Sequence, residues 1–302
     1  MRSSTSLDLI FNPAAGSFSN GKFRDIERHF HKAGQKIVLH PTAHAGHAEE
    51  IARSLSKKKH ATLVACGGDG TLNEVVNGAA GSEAVVGLIP MGTANVVALE
   101  CGISRNIAKA CDVILHGKII PVNLGKIKNR YFVFNASVGV DSFAVAHVNP
   151  RVKRLIGRGA YFLSALPHLR KTARHPLQVI LDKKHSIQSY GLIVNTVRFY
   201  GGKYKLFPDA SFQGTGFQIC SFKRGGALPS MSGFAHIALN RARQCKHLEF
   251  FEAEHLRVEA GSDHPFQMDG TQEGRLPIEL KYCPQAAQFL VPRKYGFISP
   301  AR

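Results

Sequence analysis

The chain has 302 residues, of which 44% are apolar and 20% charged, enough for two ordinary globular domains and not the composition of a disordered or fibrous protein. Its 39 Lys/Arg against 21 Asp/Glu leave a net charge of +18. The six cysteines form no Cys-x-x-Cys pair, which excludes the common zinc spacings and suits free thiols in a reducing compartment.

The charge is unevenly spread. Residues 1–141 hold 16 Lys/Arg and 11 Asp/Glu, whereas residues 142–248 hold 17 Lys/Arg with only Asp182 and Asp209 as acids. A basic middle segment attracts nucleic acid or an anionic membrane, and a solvated face without a partner is the plainer reading. The apolar run near the N-terminus, Leu9 to Phe11, is too short for a secretion signal, and the stretch Ala84–Leu99 is broken by Gly87, Pro90 and Gly92. The expected location is therefore the cytoplasm, with the protein free or resting on a surface.

In chain order, Leu7–Phe11 reads as a strand ending in the small-residue turn Asn12-Pro13-Ala14-Ala15-Gly16. Lys22–Ala33 has helical spacing, with Phe23, Ile26 and Phe30 on one side. A strand at Ile37–Leu39 and a helix at Ala45–Lys58 follow, the latter closing on Lys57, Lys58 and Lys59, where cations suit the helix dipole. Ala61–Ala65 is a strand that runs into Cys66-Gly67-Gly68-Asp69-Gly70-Thr71-Leu72 and then a helix through Val76. Ala84–Ile89 is a further buried strand, closed by Pro90-Met91-Gly92-Thr93-Ala94-Asn95. Helical residues continue to Leu99, and Asn106–Leu115 is another helix. Strands alternating with helices at short intervals imply a parallel sheet covered on both faces.

In such sheets, ligands bind outside the carboxyl ends of the strands, and three of those ends here are turns of small residues. Glycines between a strand and a helix let backbone N–H groups approach a ligand, and the helix N-terminus adds free donors and positive dipole. Phosphate is the ligand that suits this, with Asp69 near a metal or a ribose; one such turn alone is equally a tight turn.

After His116-Gly117 the pattern changes to short strands: Ile119–Leu124, Tyr131–Ala136, Leu177–Leu181, Ser189–Val194, Phe217–Phe222, His247–Phe251, Leu256–Glu259 and Leu276–Tyr282. Helical exceptions are Arg151–Leu169 and Pro229–Ala242. The expected fold is a doubly wound α/β domain over residues 1–118, followed by a mainly antiparallel β-sandwich over 119–302 whose tail returns to the first domain.

These motifs, in this order and spacing, resemble the diacylglycerol kinase catalytic-domain family, especially the soluble bacterial lipid kinases related to sphingosine and ceramide kinases. The residues that carry the resemblance are Asn12–Gly16, Thr42 ahead of Gly46-His47-Ala48, Gly67–Glu74, Pro90–Asn95, Leu206-Phe207-Pro208-Asp209-Ala210 and Met268-Asp269-Gly270. The resemblance implies a nucleotide domain like that of NAD kinases and phosphofructokinases, a lipid-binding sandwich, and transfer of phosphate from ATP to a lipid hydroxyl. By the same likeness Asn12, Pro13, Ala14, Ala15, Gly16, Thr42, Gly67, Gly68, Asp69, Gly70, Thr71, Leu72 and Thr93 would contact ATP. A structural Mg²⁺ would lie on Asp209 with the carbonyls of Leu206 and Ser211. Taken alone, Thr42 is equally a helix cap and Asp209 equally a Pro-Asp turn.

The chain departs from its relatives at three places. They carry Asp-Gly shortly after the metal loop, where this chain has Thr215-Gly216. Many have an acid at the position of Val96. They read Asp-Gly-Glu where this chain has Asp269-Gly270-Thr271-Gln272-Glu273, so the proton acceptor for the lipid hydroxyl is expected to be Asp269, then Glu273, or to be impaired. Asp141, in the turn Ser137–Asp141, is a candidate for orienting a head group or an ordinary turn residue. The stretch Arg151–Arg174, basic with Tyr161 and Phe162, suits an anionic membrane.

The expected partners are a membrane lipid and an anionic membrane surface, with peripheral attachment, no nucleic acid, and room for a homodimer through a sheet edge. Two alternatives stand beside the kinase. One is a catalytically impaired nucleotide-binding protein at the membrane; the other is an NAD kinase, which shares Gly-Gly-Asp-Gly but not Pro90–Asn95.

Overall fold

A computed structural model describes residues 6–13, 18–139, 176–261 and 264–296. The expectations for Arg151–Leu169, Asp141 and the basic stretch to Arg174 lie outside these residues, as do Ala14, Ala15 and Gly16. The chain forms two compact units, residues 1–124 with 284–302, and residues 125–283.

In the first unit, five strands run parallel: β1 (Leu7–Phe11), β2 (Ile37–Pro41), β3 (Thr62–Gly67), β4 (Val85–Pro90) and the last residues of β18 (Ile278–Val291). Their spatial order is β2-β1-β3-β4-β18, with Leu9 opposite both Leu39 and Val64, and Gln288 opposite Val85. Strands β1, β3 and β4 are buried almost throughout, which is why they read as continuous apolar runs. Five helices cover them: α1 (Asn20–Lys32), α2 (His47–Leu55), α3 (Asp69–Ala79), α4 (Val96–Cys101) and α5 (Ile107–His116). Ser19 caps α1 through Lys22 N at 3.3 Å, and Asn106 caps α5 through Lys109 N at 3.1 Å. Helix α1 buries Phe23, Ile26 and Phe30, the expected stripe.

The chain leaves β1 toward β2 on one side and returns from β2 to β3 on the other. Right-handed crossovers therefore place α1 and α2 on opposite faces. The point where the direction reverses lies between β1 and β3, and open sheets of this type bind their ligands there.

The second unit is a sandwich. One sheet has the order β14-β13-β10-β7-β16-β17, with ranges β7 Asn135–Gly139, β10 Gly191–Asn195, β13 Phe217–Phe222, β14 Leu248–Ala253, β16 Pro265–Met268 and β17 Thr271–Arg275; its pairings are all antiparallel. The other joins β8 (Leu177–Leu181), β9 (His185–Ser189), β15 (His255–Ala260) and the start of β18, and β5 (Lys118–Ile127) pairs with β6 (Arg130–Phe132). Between the sheets lie Val138, Val194, Phe217, Phe266 and Met268 from one side and Val179, Leu256, Val258 and Leu280 from the other. The outer face of the six-stranded sheet carries a second core, in which Ile193, Cys220, Phe222 and Leu248 meet Leu206, Phe207 and Ile237. Ile237 belongs to α6 (Ala227–Ala238), and a short hairpin, β11 (Phe199–Tyr200) and β12 (Tyr204–Lys205), lies on the chain before the loop that carries Leu206.

Several elements differ from the sequence expectation for physical reasons. The run Tyr131–Ala136 is two strands, broken at Val133 and Phe134 because the amides of both residues donate to a side-chain carboxylate instead of a neighbouring strand. Ser189–Val194 is divided at Tyr190, whose N–H donates to Phe222 O at 2.8 Å. Helix α6 begins two residues earlier than expected and ends four earlier, at Ala238. The last strand starts at Ile278 and runs on to Val291. Among the described residues the cysteines are free; burial pushes the Cys66 and Cys220 thiols up, and it raises Cys111 to about 12 with help from Asp112. Such thiols are inert.

Candidate functional site

Four loops gather at the carboxyl ends of adjacent strands in the first unit. Phe11 and Phe23 pack at 4.2 Å and Phe11 stacks on Phe18 at 5.8 Å, so both ends of the loop beginning at Asn12 are pinned. Thr42 N donates to Phe11 O at 2.8 Å, which brings the threonine after β2 beside the end of β1. Further on, the loop turns through left-handed Gly46 into α2, and Glu74 of α3 accepts the Ala48 N–H at 3.1 Å. The Gly46-His47-Ala48 motif thus fastens α2 to α3.

The turns after β3 and β4 make their closest approach through glycines. A Cβ on Gly92 would stand 2.5 Å from Gly68 Cα and 2.7 Å from Asn95 Oδ1, and one on Gly67 would stand 2.5 Å from Thr71 Oγ1. Met91 N donates to Gly67 O at 2.8 Å. Asn95, left-handed and buried, closes the second turn by accepting from Gly92 N at 3.0 Å and donating to Gly92 O at 2.7 Å. Arg105 Nη2 donates to the carbonyls of Gly92 at 2.9 Å and Thr93 at 2.7 Å, which places a guanidinium behind the turn.

Helix α3 starts at Gly68, which has no side chain to cap its first amides, so those donors remain open to an anion. Asp69, the acid in that first turn, faces α4 and accepts from Val97 N at 3.4 Å. Burial raises its pKa, only partly offset by amides around Asn95, Val96 and Val97. Gly70 has open space where a Cβ would go, so the fold itself does not require glycine there. Thr71 is half-buried, Leu72 fully buried, and Thr93 exposed. Of the residues expected to contact ATP, all those described lie at this one end of the sheet.

The second unit holds a different arrangement around Asp269-Gly270. Both residues have positive φ, 48° and 85°, and they join Met268 to its partner Thr271, the geometry of a two-residue hairpin turn. The nearly buried Asp269 carboxylate accepts three backbone N–H groups: Val133 at 2.7 Å on Oδ2, and Phe134 and Asn135 at 3.0 Å on Oδ1. Asp269 N in turn donates to Asn135 O at 2.8 Å.

Beneath it lies a polar network in the sandwich. Gln267 Oε1 accepts from Gly270 N at 2.8 Å, while its Nε2 donates to Ser137 Oγ at 2.7 Å and to Asn135 Oδ1. Asn135 Nδ2 donates to Asn195 Oδ1 at 2.8 Å. Thr271 is the first, exposed residue of β17; Glu273, two residues on, lies 3.6 Å from the Arg130 guanidinium.

The third set lies on the loop after β12. Leu206 is buried in the outer core, and Asp209 is exposed, with no hydrogen-bond or ion-pair partner among the described residues. Ser211 O accepts from Gly214 N at 3.0 Å, and Thr215 is engaged by Glu252 at 2.7 Å. Among the described residues there is no cluster of three His, Cys, Asp or Glu that could hold a metal. Asp209 is thus the one carboxylate this loop offers to a cation.

Asn95, Arg105, Asn135, Asn195 and Gln267 were not singled out as site residues from the sequence. Asn95 follows Gly-Thr-x, a readable turn, but the buried amides carry no signal except polarity within strands.

Residues 6–127 match the diacylglycerol kinase catalytic domain, and residues 135–291 match the YegS C-terminal NAD kinase beta sandwich-like domain. The chain belongs to the diacylglycerol kinase family of lipid kinases. It is 28% identical over 298 residues to a diacylglycerol kinase of Bacillus subtilis, covering 95% of this chain and 96% of that one. A Staphylococcus aureus diacylglycerol kinase is 29% identical over 282 residues, covering 90% and 88%. A crystal structure of a diacylglycerol kinase from Bacillus anthracis superposes with a TM-score of 0.78 at 19% identity, covering 95% and 96%, and shares the fold. Among the described residues, this family member has no helix long and apolar enough to cross a membrane.

Proposed function

We propose that this chain transfers the γ-phosphoryl group of ATP to the hydroxyl of diacylglycerol or a related membrane lipid. The observation that carries the reading is the meeting of the loops after β1, β2, β3 and β4 at the point where the strand order reverses. There the uncapped amides of α3 would cradle phosphate oxygens. The backbone from Asn12 to Gly16 and from Gly67 to Leu72 would approach the nucleotide, with the hydroxyls of Thr42, Thr71 and Thr93 supplying further donors. Mg²⁺ would accompany the nucleotide and neutralise phosphate charge. A second Mg²⁺, on Asp209 with the carbonyls of Leu206 and Ser211, would brace the loop after β12.

The proton of the lipid hydroxyl would pass to Asp269. Its Oδ1 accepts from the Phe134 and Asn135 amides and its Oδ2 from the Val133 amide, so the carboxylate would be held in one orientation for the task. Glu273 is the second candidate, already drawn toward Arg130. The lipid would be reached at an anionic membrane surface, with the protein peripherally attached.

Radiolabelled ATP offered with mixed vesicles of several lipids tests this reading, and a phosphorylated lipid is the expected product. Asp269→Asn should lower turnover by about 10²–10⁴-fold. Bound ATP with no lipid product from any vesicle would overturn the kinase, and full activity of Asp269→Asn would overturn the role of Asp269.

A further inference from the structure

Helix α6 is apolar on both of its faces. Inward it buries Ser230, Gly233 and Ile237. Gly233 lies so close to the sheet that a Cβ would stand 2.7 Å from Phe222 and 3.2 Å from Leu248, so the helix is seated directly on β13 and β14. The outward face consists of Leu228, Met231, Ala235, Ala238 and, just past the helix, Leu239, spaced to form one stripe. Leu228 is 81% exposed, Leu239 67% and Met231 41%. A surface helix of a water-soluble domain carries charged residues on this side, whereas α6 has no Lys, Arg, Asp or Glu at all.

Its rim is basic. Exposed Lys223 and Arg224 precede the helix, and exposed Arg241, Arg243 and Lys246 follow it. From Ala210 to Leu248 there is no acid. Of the elements packed against the helix, β12 offers Lys205, and β14 offers Glu252 on the same side of the sheet, where it accepts from Thr215.

We infer that α6 is a docking surface for an anionic phospholipid bilayer, with Leu228, Met231 and Leu239 entering the acyl boundary and the flanking cations meeting the head groups. An apolar stripe framed by Lys and Arg is the composition that interfacial helices use. A second copy of the chain is the weaker occupant. A two-fold contact through α6 would set the five cations against their own symmetry mates. The inference rests on the kinase reading only for its purpose, which is to bring a lipid-modifying enzyme to its substrate.

The chain contains no tryptophan, so Leu228→Trp supplies a single reporter. Its emission should shift to the blue on adding phosphatidylglycerol vesicles and be quenched by bromine-labelled acyl chains. Val38→Trp, 42% exposed on β2, should do neither. The double variant Leu228→Glu with Leu239→Glu should bind those vesicles at least about tenfold more weakly. It should keep the wild-type unfolding midpoint and the wild-type rate on a short-chain diacylglycerol dissolved without a bilayer.

Unshifted emission from the Leu228→Trp variant while the protein floats with the vesicles would overturn the inference, as would vesicle binding by the double variant equal to wild type. A dimer that becomes a monomer in the double variant with vesicle binding unchanged would assign the face to a second copy instead. Vesicle binding that depends on α6 in a protein that phosphorylates no lipid would leave the docking surface standing and remove the kinase.

Discussion

Asp69-Gly70 and Asp269-Gly270 are the same dipeptide in two physical situations. The first opens helix α3 behind two glycines, and the second turns a hairpin with both residues left-handed. Asp269 is answered by three amides at 2.7 to 3.0 Å, and its neighbour Gly270 by the buried amide of Gln267. Asp69 is met by amides around Asn95, Val96 and Val97, with Val97 N at 3.4 Å, yet burial there outweighs the hydrogen bonding. Asp269 is held in one orientation by its partners, whereas Asp69 carries a burial cost that its partners do not cancel. The glycine turns of the first unit are therefore built by removing atoms, and the Asp269 turn by satisfying them.

The sharpest way to break this contrast is to empty the network under Asp269. Gln267→Leu leaves Gly270 N without its acceptor and Asn135 Oδ1 and Ser137 Oγ without their donor, in a strand that is buried throughout. The expected loss is about 3 kcal/mol or more, read from urea unfolding. An unchanged midpoint would mean that the hairpin geometry alone holds the turn.

Gly92→Ala attacks the other region by adding one carbon where Gly68 Cα stands 2.5 Å away. The Gly68 backbone on one side and the Asn95 side chain, held by its hydrogen bonds to Gly92, on the other leave little to yield, so a loss of about 2 kcal/mol is expected. ATP affinity should fall with it, because the two turns would be pushed apart. Gly70→Ala carries the opposite expectation. The added methyl meets nothing within 4 Å, and alanine in a first helical turn is favoured over glycine by up to about 1 kcal/mol. A more stable protein that binds ATP more weakly would mark Gly70 as a position kept open for the nucleotide; unchanged ATP affinity would remove that role.

The same contrast explains what was readable beforehand. The first unit was legible because its strands are continuous apolar runs and its loops are written in Gly, Pro, Asn and Thr, residues whose backbone effects are local. Leu7–Phe11 and Leu177–Leu181 were found to the residue because each is mostly apolar, broken only by Asp8 or Gln178, with clear punctuation. The hairpin at Asp269-Gly270 carried a turn signal, but β16 and β17 include Gln267, Gln272, Glu273 and a bulge between Phe266 and Gln267, which blur the alternation. The break at Val133–Phe134 was unreadable because its cause, the Asp269 carboxylate, lies more than 130 residues away in sequence. The helix over Pro229–Ala242 was expected but its exposed apolar face was not readable, since apolar spacing does not say which side of a helix meets water.

Asp69→Asn is the smallest expected change in stability and the most informative in sign. A folded-state pKa above the unfolded value means that the ionised carboxylate disfavours the fold. That penalty is absent below the unfolded pKa, grows as pH rises toward the folded value, and is constant above it. Asparagine keeps an oxygen for the Val97 amide and carries no charge. Its variant should therefore match the wild type in acid and equal or exceed it at pH 7, in thermal melts taken across that range. On the proposed reading phosphoryl transfer should nevertheless fall sharply, because the charge that would lie near the phosphates is gone. A protein that becomes no less stable but stops working would separate Asp69 from Gln267, whose loss takes the fold with it. If Asp69→Asn instead matches the wild type in acid but unfolds more readily than the wild type at pH 7, the carboxylate is answered after all, and the two Asp-Gly turns are alike.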